Sequence, residues 1–432
     1  MTRPALILAA CLLLSGPGMA KPLLTNSQDS HAKACLDFDD TYERIIRICE
    51  IALAGRGYSQ AERLEMMEAL GDAHYALDQN DAALAVFEEM LRISPDNSAA
   101  LAGIGWVRRD AEDFAGAAAS FEAAMGVLPS AEAIGGRAAA RYHDGQIGVE
   151  EVLSQLDASL AINPEYRWAM REKGWILDAL DRHEEAEAAF QAALDLEPDD
   201  VNARHGLAES LRKQGKLSEA LVEINKAIAL EPDAAWHLAE RSRILFFLDR
   251  NKQSIKDAER VIELEPTASA GYVRKARALS SLGRTQDAIT VLTEAEAQTG
   301  FNAYMVFWRA DILAGDGAFE ESLVQIDRLV EAGVEDLHDL HLMAFVQLGR
   351  QDVAGARAAV EAAKARGPDN SFTLYYDARV LVEERRFDEA EAQMTAAVAA
   401  GLPEESIALF LRALAAKGDF VRMIRLRIAF SE

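Results

Sequence analysis

The sequence predicts an all-α chain: a right-handed α-solenoid (superhelix) of about ten helix-turn-helix units of 34 residues, closed by N- and C-terminal capping helices. Three observations predict it. Pro198, Pro232 and Pro266 fall 34 residues apart without an insertion. Small residues recur at the same interval, Gly174, Ala208 and Ser242 in a first helix and Ala186, Ala220 and Ser254 in a second. Half of the residues are apolar and only 11 are proline, which suits a long helical core rather than a disordered chain.

The N-terminus carries an export pattern. Arg3 supplies a positive start, residues 5–14 an apolar run too short to span a bilayer, and Gly18, Met19 and Ala20 the small residues that a signal peptidase accepts. Residues 1–20 are therefore expected to be a signal peptide cut before Lys21, which places the chain in a periplasm if the source is bacterial. Leu8, Ala9, Ala10 and Cys11 offer an alternative, lipid anchoring through Cys11, although the apolar run continues past the cysteine to Leu14. Export leaves Cys35 and Cys49. An oxidising compartment favours a disulfide between them, and the alternative is that Cys49 is a small buried apolar residue.

Residues 21–36 are polar and aperiodic, a flexible leader. Residues 37–63 form an N-terminal capping segment: Asp40 offers an N-cap with Glu43, and Tyr42, Ile45, Ile46, Cys49, Ala52 and Leu53 follow at helical spacing. Gly55 and Gly57 break that helix, and Ser59 with Glu62 forms a second capping box. The array spans residues 64–404. Its units end at Pro95, Pro129, Pro164, Pro198, Pro232, Pro266, Gly300, Val334 and Pro368, and the 35-residue step after Pro129 locates an insertion in the third unit.

The early position of the first helix holds Gly71, Gly105, Ala140, Gly174, Ala208, Ser242, Ala276, Ala310, Ala344 and Ala378; that of the second holds Ala83, Ala117, Val152, Ala186, Ala220, Ser254, Ala288, Ser322, Ala356 and Ala390. Two helices crossing closely require such sizes. Phe87, Phe121, Phe190, Ile224, Leu292, Ile326 and Met394 fill the wider part of the interface. Weak points are expected at Gly145 and Gly148 in the third unit, at Gly300 and Val334, and in the ninth unit, where a turn through Gly349 falls early. Residues 405–432 form the C-terminal capping helices, in which Arg422, Arg425 and Arg427 face acidic neighbours or, alternatively, a partner.

In its period and its three constrained positions the chain resembles the tetratricopeptide repeat family over nearly all of its mature length. The resemblance implies a non-enzymatic protein–protein interaction scaffold whose first helices line a concave groove. By analogy the groove residues are Trp106, Arg109, Trp168, Arg171, Trp175, His205, Glu209, Arg212, Trp236, Arg243, Arg274, Arg277, Tyr304, Phe307 and Trp308, which include all five tryptophans. Aromatic area with arginine forks suits an extended peptide, and the same tryptophans would stack on sugar rings if the ligand were an envelope glycan. The Lys and Asn set with which some members hold a C-terminal carboxylate is not matched, since Asn202 stands alone.

A formal charge of −26 argues against nucleic acid as a partner of the whole molecule. No nucleophile elbow, zinc-protease motif or phosphate loop occurs, so no catalytic residue and no cofactor are expected. His338 and His341, one turn apart after Glu335 and Asp336, are half of a metal site at most, and no metal is expected. The mature chain is expected to be a monomer with no transmembrane segment.

Overall fold

The computed structural model describes residues 30–36, 41–334 and 336–430. The expected signal segment, Cys11 and most of the leader lie outside them. Every regular element among the described residues is a helix, 24 in all, and the chain divides after Pro232 into two compact units.

The first unit opens with α1 (Ser30–Cys35) and α2 (Tyr42–Ala54). Five helix pairs follow: α3 (Gln60–Ala76) and α4 (Asn80–Ile93), α5 (Ser98–Asp110) and α6 (Phe114–Val127), α7 (Ala131–His143) and α8 (Val149–Ile162), α9 (Arg167–Ala179) and α10 (His183–Leu196), α11 (Val201–Lys213) and α12 (Leu217–Leu230). The second unit holds α13 (Ala235–Phe247) and α14 (Asn251–Leu264), α15 (Ser269–Ser281) and α16 (Thr285–Thr299), α17 (Ala303–Gly315) and α18 (Phe319–Glu331), α19 (Leu337–Gly349) and α20 (Val353–Arg366), α21 (Ser371–Glu383) and α22 (Phe387–Ala399), with α23 (Glu404–Ala416) and α24 (Phe420–Ala429) closing it. Within each unit successive helices pack in pairs, and first helices also touch first helices, as in α3–α5 or α15–α17. This is an α-solenoid.

Ten of the eleven turns inside pairs are three residues long. In each the middle residue takes a left-handed conformation, supplied by glycine at Gly215, Gly283, Gly317 and Gly418 and by Asp78, Glu112, Asp181, Asp249, Gln351 and Arg385 elsewhere. A chain that must reverse between two antiparallel helices in three residues needs that positive φ, and non-glycine residues adopt it at a cost.

Small-to-small crossing holds in the ten pairs before α23: the early positions of both helices are buried, including Ser242 and Ser254, whose hydroxyls lie 2.9 Å apart. Three second helices carry a fully buried phenylalanine wedged between the first helix of its own pair and that of the next. A Cβ added at Gly71 or Gly103 would come within 2.5 Å of the Phe87 ring, and one at Gly105 or Gly136 within 2.9 or 2.6 Å of Phe121. Gly174 and Gly206 flank Phe190 in the same way. Phenylalanine on the second helix therefore demands glycine on both neighbours. Where that position holds Leu156, Ile224, Leu292 or Ile326, the next first helix carries Glu172, Glu240, Trp308 or Leu342 instead of glycine.

Several expectations are corrected. Residues 30–35, assigned to a flexible leader, form α1, because Ala32 and Cys35 are one turn apart and both buried against α2 and α3. The N-cap of α2 is Thr41, whose side chain does not cap the helix; Asp40 lies outside the described residues. The array begins at Gln60 rather than at residue 64, since the Ser59–Glu62 capping box starts α3 one turn early.

In the third pair the insertion is two changes. The α6–α7 connection is one residue shorter than its neighbours, and the α7–α8 turn, residues 144–148, is two longer. The residue equivalent to Gly105 is consequently Ala138, not Ala140, though both are fully buried. The ninth turn is not early: Gly349 is the last residue of α19, Gln351 makes the reversal, and Gly349 is small because the Phe319 ring lies where its Cβ would be.

Candidate functional site

Each unit brings aromatic and arginine side chains of different first helices together. In the first unit Trp106 and Arg109 stand one turn apart on α5 and so share a face. Trp168, from α9, meets Trp106 edge-on at 4.6 Å, and the Arg109 guanidinium lies 4.6 Å from the Trp106 ring and 5.5 Å from the Trp168 ring. One whole pair, α7–α8, lies between the pairs that α5 and α9 open. The glycine-rich α7 between them permits the contact, because a Cβ at Gly135 would press on Trp168 at 3.3 Å. The irregularity of the third unit is thus where an aromatic cluster closes.

The cluster is internally satisfied. The Trp106 indole donates to the Glu132 carboxylate at 2.5 Å, and burial raises the pKa of that carboxyl against the effect of the indole. Arg109 pairs with Asp110 at 3.0 Å, and Tyr75 donates to the same carboxylate at 2.5 Å. Tyr166, buried beside Trp168, has its hydroxyl pKa raised chiefly by burial. Arg171, expected to be a ligand cation, is instead buried in an ion pair with Asp200, which also caps α11 by accepting from the Ala203 amide at 3.0 Å. Trp175 is half-buried against Phe190 at 5.0 Å and His205 at 6.1 Å, and Arg212 lies 3.6 Å from Glu209.

The second unit repeats the motif with a different charge balance. Arg277 on α15 lies 4.7 Å from the Phe246 ring of α13 and 4.0 Å from the Trp308 ring of α17. Tyr304 and Phe307 stand edge-on to Trp308 at 6.2 and 5.5 Å. Arg243 pairs loosely with Glu240 at 3.6 Å. Arg274, one turn before Arg277, is buried, and burial followed by the charge of Arg243 lowers its pKa to about 10. Burial raises the Asp311 carboxyl while Arg277 opposes the rise. Trp236 is half-buried, its ring 3.8 Å from that of His237.

Reading the sequence missed Glu132, Tyr166, Glu240, Phe246 and Asp311. Glu132 sits in the first turn of α7 and has the appearance of ordinary N-terminal charge placement, and Phe246 that of core; only the stacking of three helices reveals them.

Other expected features resolve as follows. The sulfurs of Cys35 and Cys49 are 2.08 Å apart, a disulfide distance. His338 is exposed, 3.9 Å from Asp336, whereas His341 turns inward, with Nε2 2.8 Å from the Thr373 hydroxyl and its pKa lowered to about 4 by burial. Arg422 pairs with Asp388, Glu391 and Asp419, and Arg425 with Glu391, so these arginines fasten α24 to α22. Among the described residues no helix is long and apolar enough to cross a membrane.

Tetratricopeptide repeat family models match residues 50–98, 68–131, 179–241, 273–333 and 377–420. Superkiller protein 3 of Schizosaccharomyces pombe is 28% identical over 158 residues, which is 35% of this chain and 11% of that protein. The crystal structure of yeast Tom70 superposes over 93% of this chain and all of its own with a TM-score of 0.51 at 15% identity, a likeness of fold. A tetratricopeptide protein of Thermus thermophilus is 26% identical, covering 43% of this chain and 98% of its own at a TM-score of 0.37. Arrays of this kind are generally non-enzymatic scaffolds for protein–protein interaction. With matching models in both units and helix pairs repeated within each, the chain belongs to the tetratricopeptide repeat family.

Proposed function

We propose that the protein holds an extended segment of a partner protein against the first helices of its repeats, and that it does so after export to the cell envelope. The observation that carries the reading is the recurrence, in each unit, of an arginine stacked on aromatic rings from more than one first helix: Arg109 with Trp106 and Trp168, and Arg277 with Phe246 and Trp308. A guanidinium stacked on rings still donates in its own plane, as Arg109 does to Asp110, while the rings supply apolar area at small entropic cost. Glycan stacking fits these positions less well, because guanidinium groups already cover rings of Trp106, Trp168 and Trp308. The Cys35–Cys49 pair supports an oxidising compartment.

The test is affinity capture from a cell-envelope extract with the chain from Lys21. Two double variants accompany it, Arg109→Ala with Trp168→Ala and Arg277→Ala with Trp308→Ala. A protein retained by the parent and lost from either variant supports the reading, and identical capture by all three sinks it. Sequencing the N-terminus of the cellular protein tests export: a start at Lys21 is expected, and a start at Met1 rejects it.

A further inference from the structure

The pair α23–α24 departs from the ten pairs before it at the crossing point. Where each earlier first helix carries Gly, Ala or Ser, α23 carries Arg412. On α24, Ile424 and Ile428 stand 34 residues after Ala390 and Met394, both of which are fully buried. An arginine at the crossing keeps two helices from the close approach that small residues allow, and α24 turns a different stripe inward. Leu426 is buried, Met423 and Phe430 pack in the same cluster, and Arg422 and Arg425 reach Asp388, Glu391 and Asp419. The opposite stripe faces outward: Phe420 is 58% exposed, Val421 83%, Ile424 55% and Ile428 61%.

Four large apolar side chains on one face of a ten-residue helix form a patch rather than scattered surface residues. Val421, Ile424 and Ile428 follow at helical spacing, with Phe420 beside them. The surrounding charge decides what fits. The three arginines of α24 are matched in number by Asp388, Glu391 and Asp419, so the helix offers no cationic surplus to an anionic bilayer, and the formal charge of −26 opposes one. The spacing is instead complementary to itself. About a two-fold axis beside Ile424, an antiparallel second α24 sets Ile424 against its counterpart, Val421 against Ile428, and the broad Phe420 against the small Ala429. Arg425, next to that axis, is already paired with Glu391 at 2.5 Å, so two copies bring ion pairs together rather than bare like charges.

We propose that the outward face of α24 is a self-association surface, on which two copies of this chain pair their α24 helices antiparallel. This goes beyond the holding of a partner segment and is independent of it, because α24 is a second helix and contributes none of the stacked arginines. The contact is small, which makes the dimer a weak and concentration-dependent one, and the monomer expected from the sequence is its dissociated form. Pairing makes the protein bivalent, so a partner that presents its segment twice is held more tightly by both copies than by either.

The test measures the mass of the purified chain from Lys21 by sedimentation equilibrium over a range of concentrations, and the register by cross-linking. The parent should pass from one chain to two, and Ile424→Asp should weaken that association at least about tenfold, because a charge then enters the apolar centre. The circular dichroism of the variant should match that of the parent, since Ile424 is exposed. With Cys35 and Cys49 bridged, the chain from Lys21 holds no other cysteine. On mild oxidation Ile424→Cys should therefore form a covalent dimer by itself, whereas Val421→Cys and Ile428→Cys should cross-link when mixed and much less when alone. A mass of one chain at every concentration overturns the proposal, whether or not the protein binds vesicles of phosphatidylglycerol. So does a dimer that Ile424→Asp leaves intact, or one whose cross-links ignore the register.

Discussion

The two units solve the same packing problem with different side chains. In the first, Phe87, Phe121 and Phe190 each sit between two glycines, and the buried Arg171 is matched by Asp200. In the second, the corresponding second-helix residues are Ala258, Leu292, Ile326, Val360 and Met394, and glycine is absent from the facing positions, which hold Arg274, Trp308, Leu342, Tyr376 and Leu409. Large side chains have moved from the middle of the sandwich to the first-helix face.

Breaking the first unit should have the largest effect. Phe190→Ala removes a fully buried ring and leaves two facing glycines unable to fill the space, and is expected to cost about 3–5 kcal/mol by denaturant unfolding. Leu292→Ala in the second unit should cost about 2–4 kcal/mol; equal losses would remove the packing contrast. Arg171→Met, which strands Asp200, is expected to cost about 3 kcal/mol, most of it recovered by adding Asp200→Asn. No recovery in the double variant would show that Arg171 acts through its stem rather than its charge.

Cys49→Ser opens a bridge between residues 14 apart and should cost about 2–3 kcal/mol, confined to α1 and α2 and visible as faster amide exchange there. Acidification should weaken the second unit near α19. The folded His341 favours the neutral form, so its contribution is complete above the unfolded value of 6.5 and is lost as pH falls towards about 4. With allowance for its partial exposure the loss is about 1–2 kcal/mol, and His341→Gln should flatten the pH profile. The smallest effect belongs to the turns: Gln351→Gly should gain about 1 kcal/mol and Gly215→Ala lose a similar amount, both read from Tm.

Much of the fold was legible because a repeat writes the same constraint many times. Small residues at the crossing points, the Ser59–Glu62 box and the helix pairs all follow from local spacing. The sequence reading failed where one local signal had two physical causes. Gly349 resembled a turn glycine and is a packing glycine against Phe319, whereas the turn itself uses Gln351. Ala140 and Ala138 are equally small, so only the lengths of the flanking connections decide the register. Ala32 and Cys35 were hidden in a polar stretch because their burial depends on α2 and α3.

The candidate site divides in the same way. By itself the sequence determined that aromatic and arginine side chains would recur on first helices, since position within a 34-residue period sets the face of the helix. Which arginines are already neutralised was decided only by tertiary structure. Asp200 lies 29 residues from Arg171, and Glu296 lies 13 from Arg309. Spacing along a chain fixes direction; counter-charge depends on distance through space, and the stacking of successive pairs alone sets that distance.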